Sequence, residues 1–324
     1  MKLAIDAMSG DLGSAPVVEA CKKFAEKHPD VELFVTGKKE ELTALESIDS
    51  IHIVDARDVV LMTDSVLGVR RKKESSMVKA LMMARKDEVD GVVSCGSTGA
   101  FYTASMLFVK RIEGVEKSCL MATLPTYSGN STCLMDVGAN ATNTAEQLQE
   151  FAVMGSLYSK LVLDKKDPKV ALLNIGAEDH KGDEMHQEAY KLLKGCDKIN
   201  FTGNIEGREL LSGDTDVVVT DGFSGNIALK TSEGAAILLM KAMKESLFAT
   251  LRGKIGALFA KPQLYALKER FDYKSVGGAL FMGFEKAIVK AHGVSDAKAV
   301  YNAMELVYRM VDLDVVGRMK EGLQ

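Results

Sequence analysis

A glycine-rich stretch at Gly96–Ala100, with the sequence Gly-Ser-Thr-Gly-Ala, has the composition of an anion-binding loop. Glycine lets several backbone N–H groups point toward one ligand, and a helix that begins at Thr98 would add the positive end of its dipole. A phosphate group suits such a loop. The alternative is a tight turn from a strand into a helix, which needs no ligand and is common in α/β proteins.

Similar polar and glycine-containing segments follow four other predicted strands, and this repetition favours a ligand site. In open α/β sheets, ligands bind beyond the carboxyl ends of the strands, so we expect these segments to share one crevice. The candidate substrate- and phosphate-binding residues are Asp6, Ser9, Gly10, Asp11, Gly96, Ser97, Thr98, Gly99, Asn140, Asp221, Gly222, Ser224 and Gly225.

Lys181 and His292 are the side chains best suited to carry charge or a proton in this crevice. The ammonium group of Lys181 could neutralise a phosphate or a developing oxyanion, although a loop lysine is usually only solvated. His292 follows a short apolar run and could transfer a proton near neutral pH, or it could cap the end of a strand. Nearby His180 and His186 lack the spacing of a zinc motif, so no metal site is predicted.

The sequence contains none of the motifs that identify common nucleotide-binding or hydrolytic enzymes. It has no G-x-G-x-x-G, no G-x-x-x-x-G-K-[ST] and no G-x-S-x-G, which removes the usual grounds for dinucleotide, nucleoside triphosphate or serine-hydrolase chemistry. Cys95 has no neighbouring histidine in sequence to activate it, and we interpret it as a packing residue. The sequence predicts a phosphate-binding crevice without a protein nucleophile or a cofactor.

The chain carries 41 Lys and Arg against 45 Asp and Glu, a net charge of −4. This balance excludes a general nucleic-acid binder, so any basic surface must be local. One basic segment contains Arg70, Arg71, Lys72 and Lys73. It is either a solvated charge run or a surface that binds an anionic ligand.

A second basic segment, residues 241–274, contains eight Lys and Arg and three Asp and Glu. Its candidate membrane-contact residues are Lys254, Leu258, Phe259 and Lys261. Basic groups beside exposed apolar groups are typical of a membrane-surface anchor, and a dimer interface fits the same pattern. Both roles are compatible if the helices pair along their length and leave the tip free.

Short aliphatic strands alternate with helical segments, which predicts an α/β protein with a doubly wound, mainly parallel sheet. The predicted strands cover residues 3–7, 31–36, 51–54, 91–95, 119–124, 132–137, 170–175, 199–201, 217–220 and 287–291. The predicted helix starts are Ser14, Thr98, Thr144 and Ser295, the last beginning a helix that runs to about residue 320. A helical stretch from about 225 to 272, broken near Pro262, is predicted to protrude from a single domain spanning residues 1–324.

The composition is that of a folded protein in a reducing compartment. Hydrophobic residues make up 47% and charged residues 27% of the chain, which are ordinary globular proportions. The five cysteines are scattered without a C-x-x-C pair, so neither disulfides nor a zinc knuckle is predicted. The first residues do not form a signal-peptide pattern and no apolar run of transmembrane length follows, so we expect a cytoplasmic protein.

Eight segments of the sequence, in order, match the motifs of one family. They are 5–11 (IDAMSGD), 69–73 (VRRKK), 96–100 (GSTGA), 124–126 (LPT), 135–140 (MDVGAN), 172–176 (LLNIG), 217–226 (VVVTDGFSGN) and 291–293 (AHG). The sequence resembles the bacterial phosphate acyltransferases of phospholipid synthesis, the PlsX family, which make acyl phosphate from acyl-acyl carrier protein and inorganic phosphate. Ser9, Cys95 and Ser97 depart from the family's usual glycine, alanine and asparagine.

The resemblance implies a fold similar to phosphotransacetylases and isopropylmalate dehydrogenases, a homodimer, and reversible attachment to the inner face of the membrane. It places the family's active-site lysine and asparagine at Lys181 and Asn226, and we add His292 for proton transfer. It implies that the acyl phosphate passes to a membrane glycerol-3-phosphate acyltransferase. Acyl carrier proteins are acidic, so Arg70–Lys73 or the basic helical segment would dock them.

Three other functions remain open from the sequence. A phosphotransacylase acting on acyl-coenzyme A would use the same crevice. A dehydrogenase of the related fold fits less well, because a nucleotide fingerprint and a divalent-metal carboxylate cluster are missing. A membrane-surface scaffold with a vestigial crevice would account for the basic tip but not for the full set of polar loops.

Overall fold

The computed structural model describes residues 1–64, 66–270 and 277–323, and in these ranges the chain forms eleven strands and ten α-helices. The strands are β1 (Lys2–Asp6), β2 (Glu32–Gly37), β3 (Ile51–Asp55), β4 (Gly91–Ser94), β5 (Cys119–Pro125), β6 (Ser131–Met135), β7 (Lys169–Asn174), β8 (Asn200–Glu206), β9 (Val217–Val219), β10 (Ala279–Met282) and β11 (Ala287–Lys290). The helices are α1 (Ala15–Lys27), α2 (Lys39–Leu42), α3 (Ser76–Arg85), α4 (Thr98–Phe108), α5 (Ala145–Val162), α6 (Glu184–Lys194), α7 (Gly222–Phe248), α8 (Leu251–Arg270), α9 (Ala297–Asp312) and α10 (Val315–Leu323). This alternation of strands and helices confirms the predicted α/β class.

The described strands form one sheet in the order β3-β2-β1-β4-β11-β10-β5-β6-β9-β7-β8. The five strands from β3 to β11 run parallel to one another, and so do the four from β6 to β8. Between these groups, the pairs β11–β10, β10–β5 and β5–β6 are antiparallel. Three reversals mean that the two parallel groups run in opposite directions. The sheet is mainly parallel as predicted, and the carboxyl ends of its two parallel groups point in opposite directions.

Both faces of the sheet are buried under helices. Along β1, Leu3 and Ile5 belong to one apolar cluster, which includes Phe24 of α1. Ala4 belongs to the cluster on the other face, which includes Phe101 of α4. Burial on two sides explains why the strands are almost continuously apolar in sequence.

The structure confirms one predicted helix start in full and modifies two others. Thr144 caps α5 by accepting the N–H of Gln147, whose side chain accepts the Thr144 N–H in return. Ser14 lies at the N-cap of α1, but its hydroxyl donates to a carboxylate of α2. Thr98 is the first residue of α4, and Ser97 occupies the N-cap position before it.

Three predictions for the C-terminal third are wrong. The carboxylate of Asp296, and not Ser295, caps α9 by accepting a first-turn N–H. The last helix is divided into α9 and α10, because Asp314 between them adopts a left-handed φ of 46°. Helix α8 continues through Pro262, and the break between the two long helices lies at residues 249–250 instead. Pro262 lacks a backbone N–H, so one hydrogen bond of α8 is missing. The helix continues because the residues on both sides of Pro262 keep their own hydrogen bonds.

Helices α7 and α8 pack against each other and bury few of their side chains. In α7 the buried residues are Gly222, Gly225 and Leu229, all close to the sheet. In the described part of α8, Ala257 is buried and the other side chains are exposed or half-buried. The two helices cover residues 222–270, and the last two residues of the predicted protrusion, 271 and 272, lie outside the described residues.

Candidate active site

A cavity of about 320 Å³ lies between the centre of the sheet and the helices α4 and α7. Leu120, Ala122 and Leu124 line it from the sheet. They alternate along β5, and alternate residues of a strand point to the same face. The cavity is therefore built over the antiparallel centre of the sheet.

Loops from both parallel groups reach this cavity. Thr98 and His292 follow the carboxyl ends of β4 and β11, whereas Gly138 and Asn226 follow those of β6 and β9. Thr98, Asn226 and His292 are predicted site residues, and the structure brings them together although their strands run in opposite directions. Ser97 makes no side-chain cap to α4, so the first-turn N–H groups of this helix are available to an anion.

Two lysines that the sequence analysis does not single out also line the cavity. Lys230 lies one turn after Asn226 on α7, and its Nζ is 2.7 Å from Oε2 of Glu233. Lys290 is the last residue of β11 and is half-buried. Burial lowers the pKa of Lys290 to about 8, and the nearby charge of Lys230 acts in the same direction. The spacing of Asn226, Lys230 and Glu233 at i, i+4 and i+7 is the sequence signal that places them on one helix face.

The glycine-rich stretch is held by hydrogen bonds from the end of β1. Ser94 Oγ donates to Asp6 Oδ2 over 2.6 Å and accepts the N–H of Gly96 over 3.1 Å. A Cβ added at Gly96 would lie 3.0 Å from Cβ of Ser9. The buried Ser9 hydroxyl has no hydrogen-bond partner among the described residues. Asp6 thus positions the stretch, and Ser9 adds an unused hydroxyl beside it.

Gly10 and Asp11 connect the β1 loop to the segment after β11. The N–H of Asp11 donates to the carbonyl of Gly293 over 2.8 Å. A Cβ added at Gly10 would lie 3.0 Å from Cβ of Cys95. Burial raises the pKa of the Cys95 thiol to about 12, so this group stays protonated near neutral pH, in keeping with a packing role.

The buried carboxylate of Asp136 organises the segment after β6. It accepts four backbone N–H groups at 2.9–3.1 Å, three of them from residues 138–140. The side chain of Asn140 donates to Asp136 and to a backbone carbonyl, both over 2.8 Å, and accepts the hydroxyl of Tyr102. Burial raises the pKa of Asp136, while the hydrogen bonds oppose that shift. Asn140 therefore holds the loop in shape and does not line the cavity.

The segment after β9 places Asn226 at the cavity. Asp221 caps α7 by accepting the N–H of Ser224 over 2.9 Å. A Cβ added at Gly222 or Gly225 would lie 2.0 or 1.9 Å from a backbone oxygen of the segment after β6. Two glycines are thus required for the first turn of α7 to pack on that segment. This packing sets the orientation of Asn226, which lies in the same turn.

Lys181 lies on the loop between β7 and α6 and does not line the cavity. Its Nζ is 4.0 Å from Oε1 of Glu178, and its side chain is 39% exposed. The following helix approaches the start of α7 through His186, whose Nε2 is 3.8 Å from Oδ2 of Asp221. The catalytic role of Lys181 stays a prediction. In the described part of the chain, no group of three or more His, Cys, Asp or Glu side chains is arranged to hold a metal ion.

In the basic segment 70–73, Lys72 is bound within its own loop, whereas the other three residues are exposed. Lys72 Nζ donates to Asp64 Oδ2 over 2.6 Å and to a backbone carbonyl over 2.7 Å, so this lysine stabilises its own loop. Arg70, Arg71 and Lys73 are exposed. These three remain accessible to an anionic partner.

Residues 254–261 expose apolar and basic side chains together, and they lie within α8 and not at a bend near Pro262 as the sequence predicts. Leu258 and Phe259 are 69% and 78% exposed, and Lys254 and Lys261 are exposed near them in sequence. Further exposed large apolar residues of the pair are Phe223, Ile227, Ile237, Leu238, Leu239, Phe248, Leu251, Ile255, Tyr265 and Leu267. Such exposure is typical of a surface that another molecule covers. None of the described helices has both the length and the apolar character needed to cross a membrane.

Comparison with known proteins identifies the family. A family model described as fatty acid synthesis protein matches residues 1–318. A phosphate acyltransferase of Exiguobacterium sp. is 44% identical over 324 residues, which cover 99% of this chain and 98% of that protein. A phosphate acyltransferase of Bacillus licheniformis is 42% identical and covers 100% of this chain and 98% of its own length. The chain belongs to the phosphate acyltransferase (PlsX) family.

This phosphate acyltransferase has the fold of the phosphotransacetylases. A phosphotransacetylase from Streptococcus pyogenes superposes with a TM-score of 0.60 at 16% identity, covering 100% of this chain and 94% of that one. A branched-chain phosphotransacylase from Enterococcus faecalis superposes with a TM-score of 0.58 at 15% identity, covering 96% and 99%. At this level of identity the likeness concerns the fold. The predicted fold class is confirmed, and the enzyme is an acyltransferase of fatty acid and phospholipid synthesis.

Proposed function

We propose that this acyltransferase moves a long-chain acyl group from acyl-acyl carrier protein to inorganic phosphate, releasing acyl phosphate and free carrier protein. The observation that carries the proposal is the cavity in which the first turn of α4 meets Asn226 and His292. The relatives named phosphate acyltransferases support phosphate as the acceptor. The carrier protein as donor is supported by the sequence motifs.

The reaction needs positioned groups more than a reactive side chain. A phosphate oxygen attacks the thioester carbonyl carbon, and the C=O electron pair moves onto the carbonyl oxygen. Collapse of this intermediate breaks the C–S bond, and the carrier thiolate leaves and takes up a proton. Phosphate is an adequate nucleophile and a thiolate is a good leaving group, so positioning and oxyanion stabilisation suffice. No cofactor enters this step.

The predicted catalytic residues and the glycine-rich loop each have a role in the proposed reaction. The N–H groups of the Gly96–Gly99 loop and Lys181 bind phosphate, Asn226 and the backbone N–H groups of its loop stabilise the oxyanion, and His292 transfers a proton. Lys181 lies outside the cavity, so its role requires the loop between β7 and α6 to approach the bound substrate. Ser9 can donate its unused hydroxyl beside Gly96.

Two surfaces serve the partners in this proposal. Arg70, Arg71 and Lys73 dock the acidic carrier protein by complementary charge. The exposed apolar and basic segment 254–261 of α8 contacts the inner face of the membrane, and the remaining length of α7 and α8 packs against the same helices of a second copy in a homodimer. Acyl phosphate produced at that surface passes to a membrane glycerol-3-phosphate acyltransferase. The enzyme is then cytoplasmic and peripherally bound to the membrane.

The first test measures release of the carrier thiol from purified enzyme and a long-chain acyl-acyl carrier protein, with and without phosphate. Acyl-coenzyme A is assayed in parallel. We expect release that requires phosphate and that prefers the carrier protein. Lys181→Ala should lower turnover or phosphate affinity by about tenfold or more, the effect of losing a charge-assisted contact.

The other outcomes are distinguishable. Preference for coenzyme A would identify a phosphotransacylase, and absence of turnover with both donors together with tight lipid binding would favour a scaffold. A folded Lys181→Ala variant with normal turnover and normal phosphate affinity would exclude Lys181 from the mechanism.

A further inference from the structure

Lys290 brings a positive charge into the cavity, and Asp11 is a negative group that acts on this charge from beyond ion-pair distance. As the last residue of β11 it pairs with Ser94 of β4 on one side and with Ala279 of β10 on the other. Strand alternation puts it on the same face as Ile288, which belongs to the apolar cluster that includes Phe101 of α4. No hydrogen bond or ion pair holds its Nζ within the described residues, and its interactions with Asp11 and Lys230 are through space.

The second cavity lysine provides the contrast. Lys230 is more exposed than Lys290, and its charge is balanced by Glu233 at 2.7 Å. A half-buried ammonium group that has no carboxylate in direct contact loses more solvation free energy than it regains from a distant charge such as that of Asp11. Such a group is stabilised when an anion enters the cavity. In the proposed reaction the anion available is phosphate.

We propose that Lys290 binds the phosphate substrate at the end of the cavity formed by Thr98 and His292. This inference rests on the function proposed above and adds a phosphate-binding residue to it. The first turn of α4 and the ammonium group of Lys290 then bind one phosphate from the β4–β11 side. Asn226 faces the same cavity from the β6–β9 side, where it can meet the thioester oxygen. One parallel group of the sheet thus provides the contacts to phosphate, and the other provides the contacts to the thioester.

Steady-state kinetics with Lys290→Met and Lys290→Arg test the assignment. Loss of the ammonium group should raise the KM for phosphate by about 10- to 100-fold, the range for a charged hydrogen bond. The KM for the acyl donor should stay near its wild-type value, and Lys290→Arg should recover most of the phosphate affinity. Lys166→Met, at an exposed lysine that does not line the cavity, is the matched control and should behave as wild type.

A binding experiment on the unmodified enzyme makes the test independent of folding in the variants. An amine-reactive reagent at limiting concentration labels lysines, and mass spectrometry measures the label at Lys290 with inorganic phosphate or with chloride at equal ionic strength. Phosphate should slow labelling of Lys290 and leave Lys166 unaffected. Equal labelling of Lys290 in both salts would overturn the inference.

The kinetic outcomes separate this inference from the proposed function. Phosphate-dependent turnover with an unchanged phosphate KM in Lys290→Met would disprove the role of Lys290 and leave the function intact. A raised KM for the acyl donor alone would place Lys290 at the thioester instead, which also contradicts the inference. Absence of phosphate-dependent turnover in the wild type, with phosphate still protecting Lys290, would contradict the function and retain the phosphate site.

Discussion

Lys290 illustrates how position in the fold changes the chemistry of a common residue. Burial lowers the pKa of Lys290 to about 8, whereas an exposed lysine titrates more than two units higher. A lysine with a lowered pKa carries its charge below that value and loses it as the pH rises through it. Bound phosphate favours the charged form, so phosphate binding and protonation of Lys290 are linked.

This linkage predicts a pH dependence of phosphate affinity. In the wild type, the KM for phosphate should rise by up to about fivefold between pH 8 and pH 9, since the lysine is about half charged at its pKa and mostly neutral one unit above it. Lys290→Arg should remove this rise because arginine stays charged. Phosphate itself titrates equally in both assays, so the ratio of the two profiles isolates residue 290. Profiles that remain parallel up to pH 9 would contradict the prediction.

Residues in the segments that follow strands, including the first turns of helices, were easier to predict from the sequence than residues farther inside strands and helices. Thr98, Asn226 and His292 could be predicted because each follows a strand, where α/β proteins bind ligands. Lys290 ends a strand and Lys230 lies in a helix, and a single lysine there is usually a solvated surface group. Only the folded structure, in which β11 lies between β4 and β10 and α7 packs nearby, shows that both lysines line one cavity.

The start of α7 shows how one element positions the site. Its first turn packs on the segment after β6 through Gly222 and Gly225, which leave no room for a Cβ. That segment is itself held by the carboxylate of Asp136. Asn226 thus depends on two loops from neighbouring strands.

Gly225→Ala should displace the start of α7. The added methyl group would lie 1.9 Å from the Asp136 carbonyl oxygen, and we expect a loss of about 1–3 kcal/mol of unfolding free energy together with reduced turnover. Gly234→Ala on the same helix is the control, because a Cβ there meets nothing within 4 Å. It should raise stability by about 0.5–1 kcal/mol. Urea denaturation and turnover assays measure both effects, and equal behaviour of the two variants would refute the packing argument.

The strands and helices that could not be predicted from the sequence differ from their local patterns for physical reasons. β10 is four residues long and lies between Gly278 and Gly283, both with positive φ, so its pattern is that of a loop. Pro262 indicates a helix end by its own chemistry, yet α8 continues through it. Thr144, with its reciprocal hydrogen bonds to Gln147, follows the local rule for a helix start.

The cavity and the exposed apolar side chains lie in different parts of the molecule. The cavity lies over the sheet, whereas exposed apolar side chains lie along α7 and α8. The sequence could predict that this segment is helical and basic and carries many apolar residues. The sequence could not predict that the two parallel groups run in opposite directions. That arrangement depends on the antiparallel pairing of β5 with β10, which are far apart in sequence.

Leu258→Glu should separate membrane contact from catalysis. Replacing an apolar side chain that is 69% exposed with a charged one should lower flotation with anionic phospholipid vesicles by about tenfold or more. Turnover of soluble acyl-acyl carrier protein should be unchanged. Leu238→Glu, on α7, should instead shift the enzyme toward a monomer in sedimentation. Loss of turnover in solution by Leu258→Glu would point to carrier docking or the dimer.

The position of β10 and β11 also bears on how the protein is made. These strands come late in the chain, yet they lie between β4 and β5 in the middle of the sheet. Until residues 279–290 emerge from the ribosome, β4 and β5 are open edges of two unconnected half-sheets, and unpaired edges invite wrong partners. The cavity takes Lys290 and His292 from this same late region. The strands that join the two half-sheets and two residues of the candidate site are therefore synthesised together.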